Sequence, residues 1–317
     1  MGHVIVPEAE AILDKEFKVL DKGFVRLVDY MGGDARIVQA ARVSYGEGTK
    51  SYREDSALID YLLRHEHTSP FEQVILTFHV KLPIFVARQW IRHRTARVNE
   101  MSGRYSVMPD EFYVPAAEDL AAQSSDNKQG RAEESLAPAQ AEEIRRLLTR
   151  GQASAYADYS ELIDNDLARE IARINLPLSL YSQWYWQIDL HNLFRFFQLR
   201  LDQHAQKEIR LYAQTMLEMT RTVAPVAVDS FERNLLRGVR FSGPEMEELR
   251  RRLAATERGA DRCGAAGNGA RGIPGTGDAA AGDGAPGNLG AIPTDAPALK
   301  GKELERFEEK LKTGRQL

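Results

Sequence analysis

The chain has 317 residues, 43% of them hydrophobic, and a formal net charge of −4. That length suits one large domain or two small ones with a sizeable core, and the acidic balance excludes a general polyanion binder, so any basic patch is local. The single cysteine, Cys263, excludes an intrachain disulfide framework, no apolar run reaches the ~20 residues of a membrane span, and no basic-then-apolar leader opens the sequence, so a cytoplasmic protein without a membrane partner is expected.

Met1 to Lys22 reads as an arm or short helix, and Phe24 to Val28 as a strand. Asp34 suits a helix N-cap, with Ile37, Val38 and Ala41 at helical spacing. Ser51 to Glu54 is a capping box opening a helix whose apolar face is Leu58, Ile59, Leu62 and Leu63. From Glu72 to Leu82 apolar residues alternate, which predicts a strand; Pro83 then suits the first turn of a helix carrying Arg88, Gln89 and Arg92. That helix is expected to yield near Thr95 to a loop through Asn99, Ser102 and Gly103, with Tyr105 to Val114 extended.

Residues 116–138 are polar and read as a loop or poorly ordered insertion. A long helix is expected over Ala139 to Asp164, then one capped by Asp166 that carries Arg169 and Arg173. Leu178 to Ile188 suits a strand, and Asp189 a cap for a helix bearing Arg195 and Arg200. Amphipathic helices follow over Ala205 to Val223 and Val226 to Leu236. The domain boundaries read as an arm over 1–22, a catalytic domain over 23–253, a Gly/Ala-rich disordered linker over 254–297 and a short helical tail over 298–317.

The chemistry concentrates in Arg88 to Tyr105, which holds five arginines, one histidine and one acid, Glu100, with no lysine. Exclusive use of arginine suits two-pronged binding of phosphate or carboxylate, and the Ser102-Gly103 turn could aim backbone N–H groups at an anion. The bland alternative is a salt-bridged helix face, which a single acid supports poorly. Gln89, Arg92 and His93 lie at i, i+3 and i+4, so they can face one ligand.

His65 and His67 lack the spacing of a metal site, and no metal is expected. Ser102 lacks the context of a nucleophile, and neither a P-loop nor a Rossmann fingerprint is present. The aromatic group Tyr181 to Trp186 fits a core better than a stacking platform.

At Arg92-His93-Arg94, followed by seven residues and Ser102, the sequence resembles the flavin-dependent thymidylate synthases, whose signature is R-H-R-x7-S. The likeness continues through RIVQAARVSYG at Arg36 to Gly46, HTSPFE at His67 to Glu72, AREIARINLPLSLY at Ala168 to Tyr181 and LRLDQHAQKEI at Leu199 to Ile209, and covers roughly Val25 to Leu236. It implies an α+β fold with helices around a central antiparallel sheet, and homotetramers with active sites at subunit interfaces. The implied reaction converts dUMP to dTMP with FAD, taking carbon from methylenetetrahydrofolate and electrons from NADPH.

By the same resemblance Arg200 is the catalytic residue, beside the uracil ring. Gln89, Trp90, Ile91, Arg92, Glu100, Met101, Ser102, Gly103, Arg104 and Arg173 would bind the nucleotide with it. His67, Ser69, Arg92, His93, Arg94, Glu100, Asp189, Leu190, His191 and Arg195 would bind the flavin. The unrelated thymidylate synthases use a cysteine nucleophile, which Cys263 is badly placed to supply.

Two residues depart from the family pattern: Arg195 stands where a smaller polar residue or histidine is common, and Arg97 adds a cation inside the signature. The 116–138 insertion and the tail lie outside the resemblance. Two other readings stand beside it. One is a nucleic-acid module that uses the arginines with aromatic platforms. The other is a non-catalytic homologue kept as a scaffold, which the intact signature and Arg200 oppose.

Overall fold

The computed structural model describes residues 4–43, 52–125, 129–264 and 299–313. The chain divides into two compact units, Met1–Leu236 and Arg237–Leu317. The first is built on a five-stranded sheet in the order β1-β2-β3-β7-β4, antiparallel throughout. Its strands are β1 (Phe17–Val19), β2 (Gly23–Met31), β3 (Ile75–Pro83), β4 (Arg97–Glu100) and β7 (Tyr181–Asp189), with β5 (Ala121–Gln123) and β6 (Arg131–Ser135) forming a separate hairpin. This is the α+β fold that the resemblance implies.

The alternation over 72–82 is realised in β3. Leu76, Phe78, Val80 and Leu82 are fully buried, while Thr77, His79 and Lys81 face the other side. Strand β7 continues both faces: Trp184, Trp186 and Ile188 enter the core, and Tyr185 stacks on His79 of β3 at 4.8 Å. The aromatic group is therefore mainly core.

The helices of this unit are α1 (Pro7–Glu10), α2 (Asp34–Arg42), α3 (Tyr52–Arg64), α4 (Ile84–Trp90), α5 (Pro138–Asp164), α6 (Arg169–Ala172), α7 (Leu190–Arg200), α8 (Lys207–Val223) and α9 (Pro225–Phe231). They cover the buried face, except that α5 and α6 pack on a second small core with Met108, Phe112 and Leu180. Trp90, at the end of α4, sits edge-on to Trp184 and Trp186 and against Phe196 of α7 and Tyr212 of α8. Burying each such ring contributes roughly 1.5–3 kcal/mol.

Several local expectations give way. Asp34 opens α2 but caps another helix: its carboxylate accepts from the N–H groups of Val226 and Ala227, 2.8 and 3.0 Å away, at the start of α9. Asn99 lies in β4, not in a loop, because the free edge of β7 pairs with residues 97–100. Within 116–138 the strands β5 and β6 pair with each other, and Asp166 occupies a left-handed turn (φ 60°) while Ala168 stands at the N-cap of α6. Asp189 does cap α7, accepting from the Asn192 N–H at 2.9 Å. The capping box at Ser51 to Glu54 lies outside the residues whose side chains are described.

In the second unit, α10 (Gly243–Gly264) and α11 (Lys302–Thr313) are joined by Lys310–Glu245 and Arg252–Glu308 ion pairs at 2.7 and 3.2 Å, and by Phe241 against Phe307. Residues 254–264, expected in a disordered linker, thus belong to a helix; 265–298 lie outside the described residues.

Candidate functional site

Helices α4 and α7 meet at the first group. Beyond Trp90 the chain leaves α4, and His93 packs edge-on against Phe196 of α7, 4.9 Å between ring centres. One turn further along α7, the Arg200 Nε donates to His93 Nε2 at 3.0 Å and its Nη2 donates to the carbonyl of Gln89 at 3.2 Å. The Gln89 side chain donates to Gln206, the residue before α8.

Burial, and then the guanidiniums of Arg200 and Arg195, pull the His93 imidazole down to about 4. It is therefore neutral near pH 7, with Nε2 the acceptor. Burial and then Arg92 push Arg200 below its usual range, though not far enough for an arginine to lose its proton. Arg195 and Arg200 thus stand beside an uncharged ring, with Arg92 beside Arg200, a concentration of like charge that an anion would relieve.

The second group follows β4. Met101 donates its N–H to the Gln183 carbonyl at 2.8 Å, and a tight turn closes with the Tyr105 and Ser106 N–H groups on the Ser102 carbonyl. The Arg104 N–H reaches Ser102 Oγ at 3.3 Å. Gly103 is needed here for room: a Cβ would stand 2.9 Å from Met108 Sδ and 3.1 Å from Arg173 Cδ. Arg173, placed by the 3-10 turn after α6, therefore lies directly on this turn. Arg104 pairs with Glu170 at 3.1 Å, both well exposed.

Two of the segments assigned to the flavin, 67–69 and 189–195, are brought together by the sheet. Register sets Ile75 opposite Asp189, Leu190 donates its N–H to the Val74 carbonyl at 2.8 Å, and Phe71 packs on Phe194. The exposed turn with His67 and Ser69 is thereby brought to the start of α7, where His191 is half-buried. Arg97 faces Gln187 in the neighbouring register.

Three assigned side chains are otherwise committed: Trp90 and Leu190 are wholly buried in the core, and the Asp189 carboxylate caps α7. Glu100 accepts from Ser182 Oγ at 2.6 Å. Ile91 is exposed beside Arg92. Sequence reasoning overlooked Gln206 and Ser182 as partners of site residues; Gln206 lies within the quoted LRLDQHAQKEI stretch.

Arg88, Arg92, Arg94, Arg97 and Arg195 are exposed, and among the described residues none of them is in an ion pair. A salt-bridged helix face is therefore not what this stretch forms. A cavity of about 720 Å³ is lined by the β5–β6 hairpin and residues 203–210, including Gln206, but by none of the site arginines. Among the described residues no three His, Cys, Asp or Glu side chains are grouped to hold a metal.

Residues 26–226 match the family model described as thymidylate synthase complementing protein, and residues 283–317 match that of the thymidylate synthase ThyX C-terminal domain. The tail, expected to lie outside the resemblance, thus carries a family feature, of which α11 is the described part. A flavin-dependent thymidylate synthase from Treponema denticola is 59% identical over 96% of this chain and all of that protein, and one from Treponema pallidum is 53% identical over the whole chain and 91% of its own length. A UMP/dUMP methylase from Streptomyces cacaoi, solved with 5-Br dUMP, superposes with a TM-score of 0.63 at 34% identity, over 68% of this chain and 97% of that one. With matches of this extent, the chain belongs to the thymidylate synthase complementing proteins, the family of the flavin-dependent thymidylate synthases.

Proposed function

We infer that the protein is an FAD-dependent thymidylate synthase that methylates dUMP reductively to dTMP, with methylenetetrahydrofolate as carbon donor and NADPH as reductant. The observation that carries the reading is Arg195 and Arg200 beside neutral His93, with Arg92 beside Arg200, and, among the described residues, no acid in an ion pair to any of the three. It leaves cationic hydrogen-bonding capacity for phosphate and for a polarised pyrimidine.

In this reading Arg173, the Arg104 side chain and the Ser102-Gly103 turn grip the nucleotide phosphate, a dianion suited to forked guanidinium contacts. Arg200, its Nε held by His93 and one Nη by the Gln89 carbonyl, points its remaining donors at the pyrimidine and stabilises charge developing on the ring. A preset guanidinium pays little reorganisation as the reaction proceeds.

The donor set fits a flavin dinucleotide. Arg92 and Arg94, exposed and in no ion pair among the described residues, suit a pyrophosphate, with Ser69, His67 and His191 alongside. When bound, FAD supplies the hydride chemistry that no side chain here can perform. Trp90 and Leu190 would contribute through their backbones, Ile91, Met101 and Glu100 by lining the turn, and Asp189 by fixing the start of α7.

The nucleotide residues form two groups held by separate contacts, and the cavity of about 720 Å³ between the β5–β6 hairpin and residues 203–207 is lined by no site arginine. Exposed Ile91, Val98, Tyr105, Ile174 and Leu199 surround them. Both features support a homotetramer in which different copies complete each site. Among the described residues no helix is long and apolar enough to cross a membrane, in keeping with a cytoplasmic enzyme of nucleotide synthesis.

The test is an anaerobic assay of dTMP formation with FAD, NADPH, methylenetetrahydrofolate and dUMP. A preparation that takes up no FAD and makes no dTMP would refute the reading. Steeply salt-dependent binding of oligonucleotides, without binding of mononucleotides, would favour a nucleic-acid module.

A further inference from the structure

The β5–β6 hairpin supplies no residue assigned to the nucleotide or the flavin, yet it is fastened to the start of α8 by charge. A single Nη2 of Arg131, on β6, bridges both carboxylate oxygens of Glu208 at 2.7 and 2.8 Å, and Nη1 donates to the Asp119 carbonyl at 2.7 Å. The Asp119 carboxylate in turn pairs with Lys207, and the Tyr113 hydroxyl donates to Glu208 at 3.2 Å. Glu208 has a side chain only 4% exposed, so its charge is costly without these partners.

Lys207 and Glu208 directly follow Gln206, which accepts from the Gln89 side chain; the Gln89 carbonyl holds Arg200. A displacement of Glu208 therefore carries Gln206 with it and reaches Arg200 through two hydrogen bonds, Gln89 side chain to Gln206 and Arg200 to the Gln89 carbonyl. The cavity of about 720 Å³ lies between the hairpin, at Ala121, Gln123 and Arg131, and the loop side, at His204, Gln206 and Arg210. Across that gap the ion pairs set the distance.

We propose that Arg131 is a positioning residue for the nucleotide site. By clamping Glu208 and the Asp119 turn it sets the first turn of α8, and through Gln206 and Gln89 the aim of Arg200. The proposal rests on the assignment of Gln89 and Arg200 to dUMP. The hairpin is then a brace for substrate affinity rather than a solvent-facing decoration.

The test compares wild type, Arg131→Met, Arg131→Lys and the double variant Arg131→Met with Glu208→Gln, all as flavin-loaded protein. Calorimetric binding of dUMP, flavin content, Tm, kcat and the KM values for dUMP and NADPH are measured. Arg131→Met should weaken dUMP binding and raise its KM about tenfold, with flavin content and the NADPH KM unchanged. Arg131→Lys, whose ammonium can still bridge both oxygens, should recover most of the affinity.

The double variant no longer strands a buried charge, so it should regain Tm while its dUMP affinity stays low; it carries the comparison if the single variant does not fold. A dUMP affinity within about twofold of wild type in every folded Arg131→Met protein, with Tm alone reduced, would make Arg131 merely structural and overturn the proposal. Wild type that binds no dUMP would overturn the assignment of the site, and the clamp with it.

Discussion

Arg200 Nε donates to His93 Nε2 at 3.0 Å, joining the last residue of α7 to the loop that follows α4. The guanidinium is thus aimed by a ring that must stay unprotonated to accept it. Removing it with Arg200→Ala should leave FAD bound and lower dTMP formation by about 100-fold or more, as loss of one preorganised donor set does. Flavin absorbance and anaerobic turnover check the two halves of that statement, and near-normal turnover would remove Arg200 from the chemistry.

His93 gives the protein an acid limit. Its folded-state value, about 4, lies below the ordinary 6.5, so the folded state resists protonation more than the unfolded chain does. Stability from this group is fully present above 6.5 and is lost as pH falls through about 4. The urea midpoint of wild type should decline across that interval, and His93→Gln, which keeps an acceptor without the charge change, should flatten the decline.

Asp34 acts with the opposite sign. Burial lifts its carboxyl to about 6 from 3.8, against the lowering effect of its hydrogen bonds from Val226 and Ala227. The folded state then binds the proton more readily, so this group adds stability as pH falls from about 6 toward 3.8. Asp34→Ala should cost about 1–2 kcal/mol near pH 7 by uncapping α9. Asp34→Asn should retain most of the cap while abolishing this pH dependence; denaturation curves at several pH values decide it.

Gly103→Ala tests the packing of Arg173 on the turn. The added methyl must displace Met108 Sδ or the Arg173 side chain, which would stand 2.9 and 3.1 Å from it. If Arg173 holds the phosphate as proposed, the dUMP KM should rise about tenfold while the flavin stays bound. Unchanged dUMP affinity would place the phosphate elsewhere.

Ser102→Ala removes one neutral hydroxyl and the acceptor for the Arg104 N–H. The loss should be about 1 kcal/mol in dUMP binding, with turnover retained. Complete loss of activity with tight dUMP binding intact would instead make Ser102 a nucleophile.

Strand β3 was legible because period-2 alternation is a local property: Leu76, Phe78, Val80 and Leu82 are the residues that end up buried. The cap at Asp189 was legible for the same reason, since its partner Asn192 is three residues away. Asp34 was misread because its partners lie 192 and 193 residues along the chain. Asn99 was misread because β4 exists only where the edge of β7 offers it a ladder.

By itself the sequence carried the R-H-R-x7-S signature, a matter of residue type and spacing, and the resemblance built on it put forward Arg173 and Arg200 as candidates for the chemistry. It also determined the family and, through amphipathic periodicity, most of the helices. Only the tertiary structure decided that His93 serves Arg200 as a neutral acceptor, that Trp90 and Leu190 are core, and that Arg131 reaches Glu208. Those facts depend on burial and on contacts between distant segments. The free energy of a charge or a ring is set by what surrounds it in space, which no local pattern encodes.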